Sequence, residues 1–205
     1  LCKPKVIFTF GLLFVKIMES IFNLNNQNSN LDSKIVAGLD RISQVFKTLL
    51  WEKSKTYNLS PIQIQLLIFI AYHSSEKTTV SYLSQEFNLS KPTISDTIKT
   101  LEQKQFINKI VDKKDTRSYR ITLTETGKNI VLETENFVNP LTEIITNSKQ
   151  NDKLVLWENI TNIIEQLNEL KIISVQRTCF KCKFYSVNNN KSFCNLLNQN
   201  LKTED

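Results

Sequence analysis

Apolar residues recur every three or four positions over most of the chain, a spacing that predicts amphipathic α-helices. The first such run predicts a long helix over about residues 31–56. Its apolar face consists of Ile35, Leu39, Ile42, Phe46, Leu49 and Leu50. The polar, Asn-rich run that precedes it, at 23–30, has little to bury and is predicted to be a flexible leader.

Three further helices are predicted in the next part of the chain. Ser60 can cap the second helix, with Pro61 at its first position and Gln63 completing a capping box. The near-continuous apolar run that follows predicts a helix buried on most of its sides. Two short helices at about 79–87 and 90–104 come after it.

Strand-like alternation occurs in one place, where FINKIV and YRITL flank the turn sequence DKKDTR. Beyond this hairpin, helical spacing runs from Thr124 towards residue 148, with a kink or boundary expected at Pro140. A last helix is predicted over about 151–171. The order of elements predicts a mainly α fold with a small β-hairpin wing, in which long N- and C-terminal helices flank a helix-turn-helix.

The helix-turn-helix is predicted from VSYLSQEFNLSKPTISDTIKTLEQKQF, residues 80–106. Ser84 is small enough for two helices to cross closely, and Asn88, four residues later, tolerates the left-handed conformation that the turn needs. The N-terminal end and outer face of the second helix would enter the major groove of DNA. The residues predicted there are Ser90, Lys91, Pro92, Thr93, Ser95, Asp96, Thr97 and Lys99.

The hairpin at 106–123 places local positive charge where a DNA backbone would run. Its basic candidates for DNA contact are Lys113, Lys114, Arg117 and Arg120, and Lys109 lies beside them. A helix-turn-helix followed at once by a basic hairpin predicts a winged helix. Arg117 is the candidate to reach into a minor groove, and its alternative role is an ion pair with Asp115.

These segments resemble the MarR family of bacterial regulators. The resemblance covers residues 31–171 and rests on LSPIQIQLLIFI, LSKPTISDTIKTLEQKQFINK and DKKDTRSYRITLTETGK. The most specific pattern is D-x-R-S followed by L-T-x-x-G, present as Asp115, Arg117, Ser118, Leu123, Thr124 and Gly127. One departure is Gln105, where the family often has glycine. The resemblance implies a dimer joined by its N- and C-terminal helices and a palindromic double-stranded DNA operator.

Three of the four cysteines lie in CFKCKFYSVNNNKSFC, near the end of the chain. Cys179 and Cys182 have Cys-x-x-Cys spacing and Cys194 follows them, a set of thiols that suits zinc or an iron–sulfur cluster with the fourth ligand unknown. Three free thiols are the alternative reading. An odd number of cysteines in the tail and a cytosolic setting disfavour disulfides.

The N-terminal part of the chain is set apart by composition. Met18 is the only methionine and is interpreted as the natural start; a weak signal peptide and a real apolar extension are the alternatives for residues 1–17, whose apolar run is too short to span a bilayer. Without Lys3, Lys5 and Lys16 the net charge falls from +6 to +3, so overall basicity argues only weakly for nucleic acid. The predicted organisation is a leader at 1–30, a winged-helix domain at 31–171 with its DNA-binding core at 60–124, and a tail at 172–205.

Together these patterns predict a cytoplasmic, homodimeric transcriptional regulator that reads DNA with the helix at 90–104 and the wing at 106–123. Catalysis is not expected, because there is a single histidine, His73, and no P-loop or dinucleotide fingerprint. Two alternatives stay open: a protein-interaction module that no longer binds DNA, and a metal- or redox-sensing regulator that uses the cysteine tail. A small-molecule effector also stays open as a partner.

Overall fold

The computed structural model describes residues 20, 22–111, 119–175, 177, 184–188, 191–195 and 198–201. The chain divides into two compact units, Leu1–Phe46 and Lys47–Asp205. The division falls inside a helix and not at residue 30, where the leader was predicted to end. The reason is that Leu50 belongs to the core of the second unit, whereas the apolar side chains of the same helix before residue 47 are exposed.

The Asn-rich segment that was predicted to be a flexible leader contains a short helix with no buried residues. Helix α1 spans Leu24–Ser29 and helix α2 spans Leu31–Tyr57. The Asn23 side chain caps α1 by accepting a hydrogen bond from the backbone N–H of Asn25 at 2.9 Å. Asn23, in the segment predicted to be a flexible leader, therefore acts as a helix cap, a role for which asparagine is well suited.

The second unit contains the remaining elements. Its helices are α3 (Pro61–Tyr72), α4 (Val80–Glu86), α5 (Lys91–Gln103), α6 (Glu125–Thr134), α7 (Asn139–Thr146) and α8 (Gln150–Glu169). Its strands are β1 (Ile107–Val111), β2 (Tyr119–Leu123), β3 (Tyr185–Asn188), β4 (Lys191–Cys194) and β5 (Gln199–Asn200). The predicted fold class, mainly α with a β-hairpin wing, is confirmed. None of the helices described is long and apolar enough to cross a membrane.

Helix α3 is the central element of the core, and its predicted start is confirmed. The backbone N–H of Ser60 donates to Oε1 of Gln63 at 2.9 Å, and the N–H of Gln63 donates to Oγ of Ser60 at 3.4 Å, which completes the capping box. The buried side chains of α3 are Ile64, Leu66, Leu67, Phe69 and Ile70. Since each buried side chain of this size contributes roughly 1.5–3 kcal/mol, α3 anchors the helices that carry the candidate site.

The helical run predicted from Thr124 to about 148 is broken at Pro140, as the sequence indicated. Helix α6 ends at Thr134, a 3-10 turn follows over Glu135–Val138, and α7 resumes with Pro140 in its first turn. Proline is tolerated at that position because the first N–H groups of a helix have no partner within it. The boundary therefore falls near Asn139, where it was predicted.

The turn between α5 and β1 explains the departure at Gln105. This residue has a φ of 59°, in the left-handed region that disfavours side chains.

We expect Gln105→Gly to raise the free energy of unfolding by up to about 1 kcal/mol, because the strain relieved is only partly offset by the greater freedom of glycine in the unfolded chain. Urea unfolding followed by circular dichroism measures the change. Gln103→Gly, two residues earlier and still in the helix, is the matched control and should lose about 1 kcal/mol; equal losses at both positions would contradict the prediction.

The tail contains a small sheet that the sequence did not predict. Strands β3, β4 and β5 form an antiparallel sheet in that order, with Tyr185 opposite Cys194 and Phe193 opposite Asn200. The N–H of Asn195 extends the first pair by donating to the carbonyl of Phe184 at 2.8 Å. At least part of the cysteine tail is therefore ordered structure.

Candidate nucleic-acid interface

The helix-turn-helix is formed by α4, α5 and the turn between them. The Thr79 hydroxyl caps α4 by accepting from the N–H of Tyr82 at 3.2 Å. Asn88 has a φ of 52°, which confirms the left-handed turn predicted for it. The N–H of Leu89 then donates to the carbonyl of Ser84 at 3.0 Å, and Ser84 itself is buried between the helices. The small residue and the asparagine thus have the roles that their spacing indicated.

Helix α5 presents its N-terminal end to solvent. The Ser90 hydroxyl caps it by accepting from the N–H of Thr93 at 3.2 Å, and the two hydroxyls lie 2.8 Å apart. The inner face of the helix is buried and consists of Ile94, Thr97, Ile98 and Leu101. The predicted contact residues that are exposed are Ser90, Lys91, Pro92, Thr93, Asp96 and Lys99, and Ser95 is half-buried.

Thr97 does not lie on the outer face of α5, so its predicted placement there is wrong, and its contact with DNA stays a prediction. Only 9% of its surface is exposed, and its hydroxyl donates to the carbonyl of Thr93 at 2.8 Å. Thr97 follows Ile94 by three positions and precedes Leu101 by four, so it lies on the same side of the helix as both. A threonine among polar neighbours was assigned by its chemistry, although its position in the helical repeat already indicated the buried face.

The wing is attached to the helix-turn-helix through Thr78. Strands β1 and β2 pair antiparallel, from Ile107 opposite Leu123 to Val111 opposite Tyr119. The N–H of Ile121 donates to the carbonyl of Thr78 at 3.1 Å and lies 3.3 Å from its hydroxyl. Thr78 is 1% exposed, so this joint is shielded from water. Sequence reasoning missed Thr78, because only the fold brings it beside β2.

Two basic residues of the wing, Lys109 and Arg120, lie in the part of the hairpin that the structure describes. Lys109 is occupied within the fold: its Nζ lies 2.5 Å from Oε2 of Glu102 and 5.1 Å from the centroid of the Tyr119 ring. Arg120 is exposed and lies opposite Ile110 in the ladder. The other predicted DNA contacts of the wing, Lys113, Lys114 and Arg117, lie outside the described residues together with Asp115 and Ser118.

Positive charge on α5 comes from Lys91 and Lys99. Both side chains are exposed, and neither forms an ion pair with any residue in the described part of the chain. Lys91 lies at the first position of the helix, where unpaired backbone N–H groups and the helix dipole also favour an anion. This end of α5 therefore has the charge and the hydrogen-bond donors that suit a phosphate backbone.

Glu86, the last residue of α4, has a buried acidic side chain next to the turn. The Glu86 side chain is 1% exposed and forms an ion pair with Arg177, which follows α8. Burial raises the pKa of the Tyr82 phenol, and the neighbouring Glu86 carboxylate raises this pKa further, while Arg177 acts in the opposite direction. The Arg177 guanidinium lies 5.8 Å from the centroid of the Phe69 ring. No sequence signal connects Glu86 with a residue 91 positions away.

Only one of the three cysteines predicted as metal ligands is described. Cys194 is a buried, free cysteine at the end of β4. Cys179 and Cys182 lie outside the described residues, as does Cys2. Among the residues that are described, no group of three His, Cys, Asp or Glu side chains could hold a metal ion. A zinc or iron–sulfur site at Cys179, Cys182 and Cys194 therefore stays a prediction from spacing alone.

Comparison with known proteins agrees with this geometry. Residues 57–118, which contain α3, α4, α5 and β1, match the model of the MarR family. The helix-turn-helix and the first strand of the wing are therefore similar to the MarR family. The match includes the cap of α3, the helix-turn-helix and the pattern up to Ser118, so the resemblance seen in the sequence is confirmed.

Individual MarR-type relatives and structures are similar to the chain over different lengths. The HTH-type transcriptional regulator SarZ of Staphylococcus haemolyticus (strain JCSC1435) is 31% identical to this chain over 81 residues. These residues are 38% of this chain and 55% of SarZ, so the match spans about half the length of this relative. The crystal structure of the S. aureus MepR–DNA complex matches 64% of this chain and 97% of its own, with a TM-score of 0.58 and 22% identity. Streptococcus pneumoniae FabT in complex with DNA matches 67% of this chain and 97% of its own, with a TM-score of 0.55 and 21% identity. SarZ is a transcriptional regulator, in agreement with the prediction that this chain is not an enzyme.

Proposed function

We propose that this chain is a cytoplasmic, sequence-specific transcriptional regulator of the MarR family that binds double-stranded DNA as a homodimer. The observation that carries the proposal is the geometry of α5, whose capped N-terminal end and outer face are exposed while its inner face is buried against α3 and α4. A helix held in this way can enter a major groove. MepR and FabT, whose structures resemble this fold, are both in complex with DNA.

Different residues of the surface have different proposed roles. Lys91 and Lys99 neutralise phosphates and set the register, whereas Thr93, Ser95 and Asp96 face the edges of bases. The N-cap residue Ser90 and Pro92 shape the end of the helix that enters the groove. The proposed wing contacts, supported by their place in the sequence between β1 and β2, are Lys113, Lys114, Arg117 and Arg120.

Homodimerisation is supported by the two apolar helix faces that the single chain leaves exposed. On α2 the exposed apolar side chains include Ile35, Leu39, Ile42 and Phe46, and on α8 they include Val155, Leu156, Trp157 and Ile163. Large exposed apolar surfaces mark sites of protein–protein contact. A second copy of the chain is the proposed partner, because a two-fold dimer would place two recognition helices on a palindromic operator.

Ile42→Glu tests the dimer. A charge within a buried apolar interface has no counterion, so we expect the variant to be monomeric at micromolar concentrations where the wild type is dimeric. Sedimentation velocity measures the association state. Gln44→Glu is the matched control: it adds the same charge two positions later, about 200° around the helix from Ile42, and should leave the dimer intact. Equal dimer dissociation in both variants would argue against an interface on this face.

The proposed function is tested by selecting genomic DNA fragments with the full-length protein. A regulator enriches fragments that share a palindromic sequence, whereas a protein-interaction module enriches none. Binding to a recovered fragment should also weaken steeply with salt, by a log–log slope of about 0.9 for each phosphate contact. Failure to enrich any sequence, or a flat salt response, would contradict DNA as the partner.

A further inference from the structure

The segment that follows α8 returns to the helix-turn-helix. Lys171, two residues beyond the end of α8, has a φ of 59°, and the N–H of Ile172 donates to the carbonyl of Leu167 at 3.0 Å, which fixes the direction in which the chain leaves the helix. The Asn168 side chain donates to the carbonyl of Ile173 at 2.9 Å. We call residues 171–175 together with Arg177 the C-terminal strap.

Two polar contacts join the C-terminal strap to the turn of the helix-turn-helix. The side chain of Asn88, the left-handed turn residue, donates to the carbonyl of Ile172 at 3.3 Å. Nε of Arg177 pairs with the carboxylate of Glu86, the last residue of α4. Both contacts therefore act on the short stretch that sets the angle between α4 and α5.

The Glu86–Arg177 pair is more than a surface ion pair. The Glu86 side chain is 1% exposed, whereas that of Arg177 is 58% exposed, so the guanidinium covers a buried carboxylate from the solvent side. Removal of Arg177 alone would leave Glu86 without its counterion and only partly hydrated, which is more costly than the loss of a fully exposed pair. The Phe69 ring, stacked on His73 at 3.7 Å between centroids, lies 5.8 Å from the guanidinium, within the range of a cation–π contact.

We propose that the C-terminal strap fixes the helix-turn-helix to the end of α8, with Arg177 as the positioning residue that covers Glu86. In the dimer, the same α8 lies in the proposed interface between subunits. The C-terminal strap thereby sets where each recognition helix sits relative to the interface, and so the spacing of half-sites that the dimer accepts. This last consequence rests on the proposed function, whereas the mechanical role of the C-terminal strap does not.

Amide hydrogen exchange of the full-length protein tests the mechanical role without DNA. Arg177→Gln should speed exchange at Phe87, Asn88 and Leu89 by about tenfold or more, because local stability reports the contacts that hold a segment. The double variant Glu86→Gln/Arg177→Gln, which removes both charges, should return the rates to within about threefold of the wild type. Wild-type exchange at the turn in Arg177→Gln would overturn the proposal.

A second variant keeps the test decisive if Arg177→Gln does not fold. Asn88→Gly removes the donor to Ile172 but keeps a residue that accepts the left-handed conformation. It should also speed exchange at Leu89, whereas the exchange rates of Leu66 and Leu67, in the buried core of α3, should stay unchanged. Faster exchange throughout the fold, with no preference for the turn, would count against a local positioning role.

DNA binding then separates positioning from direct contact. On a fragment recovered by selection, Arg177→Gln should weaken binding by about tenfold with an unchanged salt slope, and the double variant should restore affinity. A residue that touches a phosphate would instead lower the slope by about 0.9, without rescue by Glu86→Gln. That outcome would overturn the positioning role while supporting DNA binding. If no fragment is recovered, the proposed function fails and the exchange result still decides on the C-terminal strap.

Discussion

Gly127→Ala is expected to lower the free energy of unfolding by about 3 kcal/mol or more, the largest effect of any single substitution proposed for this fold. A Cβ at this position would lie 2.0 Å from the carbonyl oxygen of Phe106 and 2.9 Å from its carbonyl carbon. These are backbone atoms, and the same oxygen accepts the N–H of Thr124 at 3.0 Å. Relief of the clash would have to separate α6 from the start of the wing.

The cap of α6 makes that movement costly. The Thr124 hydroxyl accepts from the N–H of Gly127 at 3.0 Å and donates to the carbonyl of Gln105 at 2.7 Å. Urea unfolding at fixed protein concentration measures the loss. Asn129→Ala, exposed on the same helix, is the control and should be neutral or slightly stabilising because alanine is the better helix former. A loss below about 1 kcal/mol for Gly127→Ala would show that the wing moves freely relative to α6.

Neutralising both lysines of α5, as Lys91→Gln/Lys99→Gln, is expected to weaken binding to a selected DNA fragment at least about 100-fold. Two charge-assisted hydrogen bonds are worth about 1.5–3 kcal/mol each, and about 1.4 kcal/mol is a factor of ten. Removal of two phosphate contacts should also reduce the salt slope by about 1.8. Fluorescence anisotropy at several salt concentrations measures both quantities.

The stability of this double variant should stay close to that of the wild type, since both lysines are exposed and no ion pair of theirs is seen in the described structure. Lys34→Gln/Lys149→Gln is the matched control: it changes net charge equally, at exposed lysines on α2 and before α8. Binding within threefold of the wild type for the α5 variant, or an equal loss for the control, would contradict a contact surface on α5.

Ser60 caps the helix that follows it, as predicted, because a side-chain oxygen and the N–H three positions on are all that a cap needs. Burial on α3 and the alternation of β2 were likewise local patterns. The differences had local causes too: Thr97 was assigned by its chemistry against its helical position, and the asparagines at 23–30, read as a flexible leader, include the cap of a short helix.

The sequence by itself determined the main helices, the helix-turn-helix, the wing and the resemblance to the MarR family, since all of these depend on periodicity, caps and turn residues within short stretches. Only the tertiary structure showed which residues that are far apart in the chain come into contact. It showed why Gly127 must lack a side chain, because the carbonyl of Phe106 lies against it. It also placed Thr78 beside β2, and Arg177 over Glu86. A close approach between distant segments depends on how the helices pack, and such contacts produce no periodic pattern of residues in the sequence.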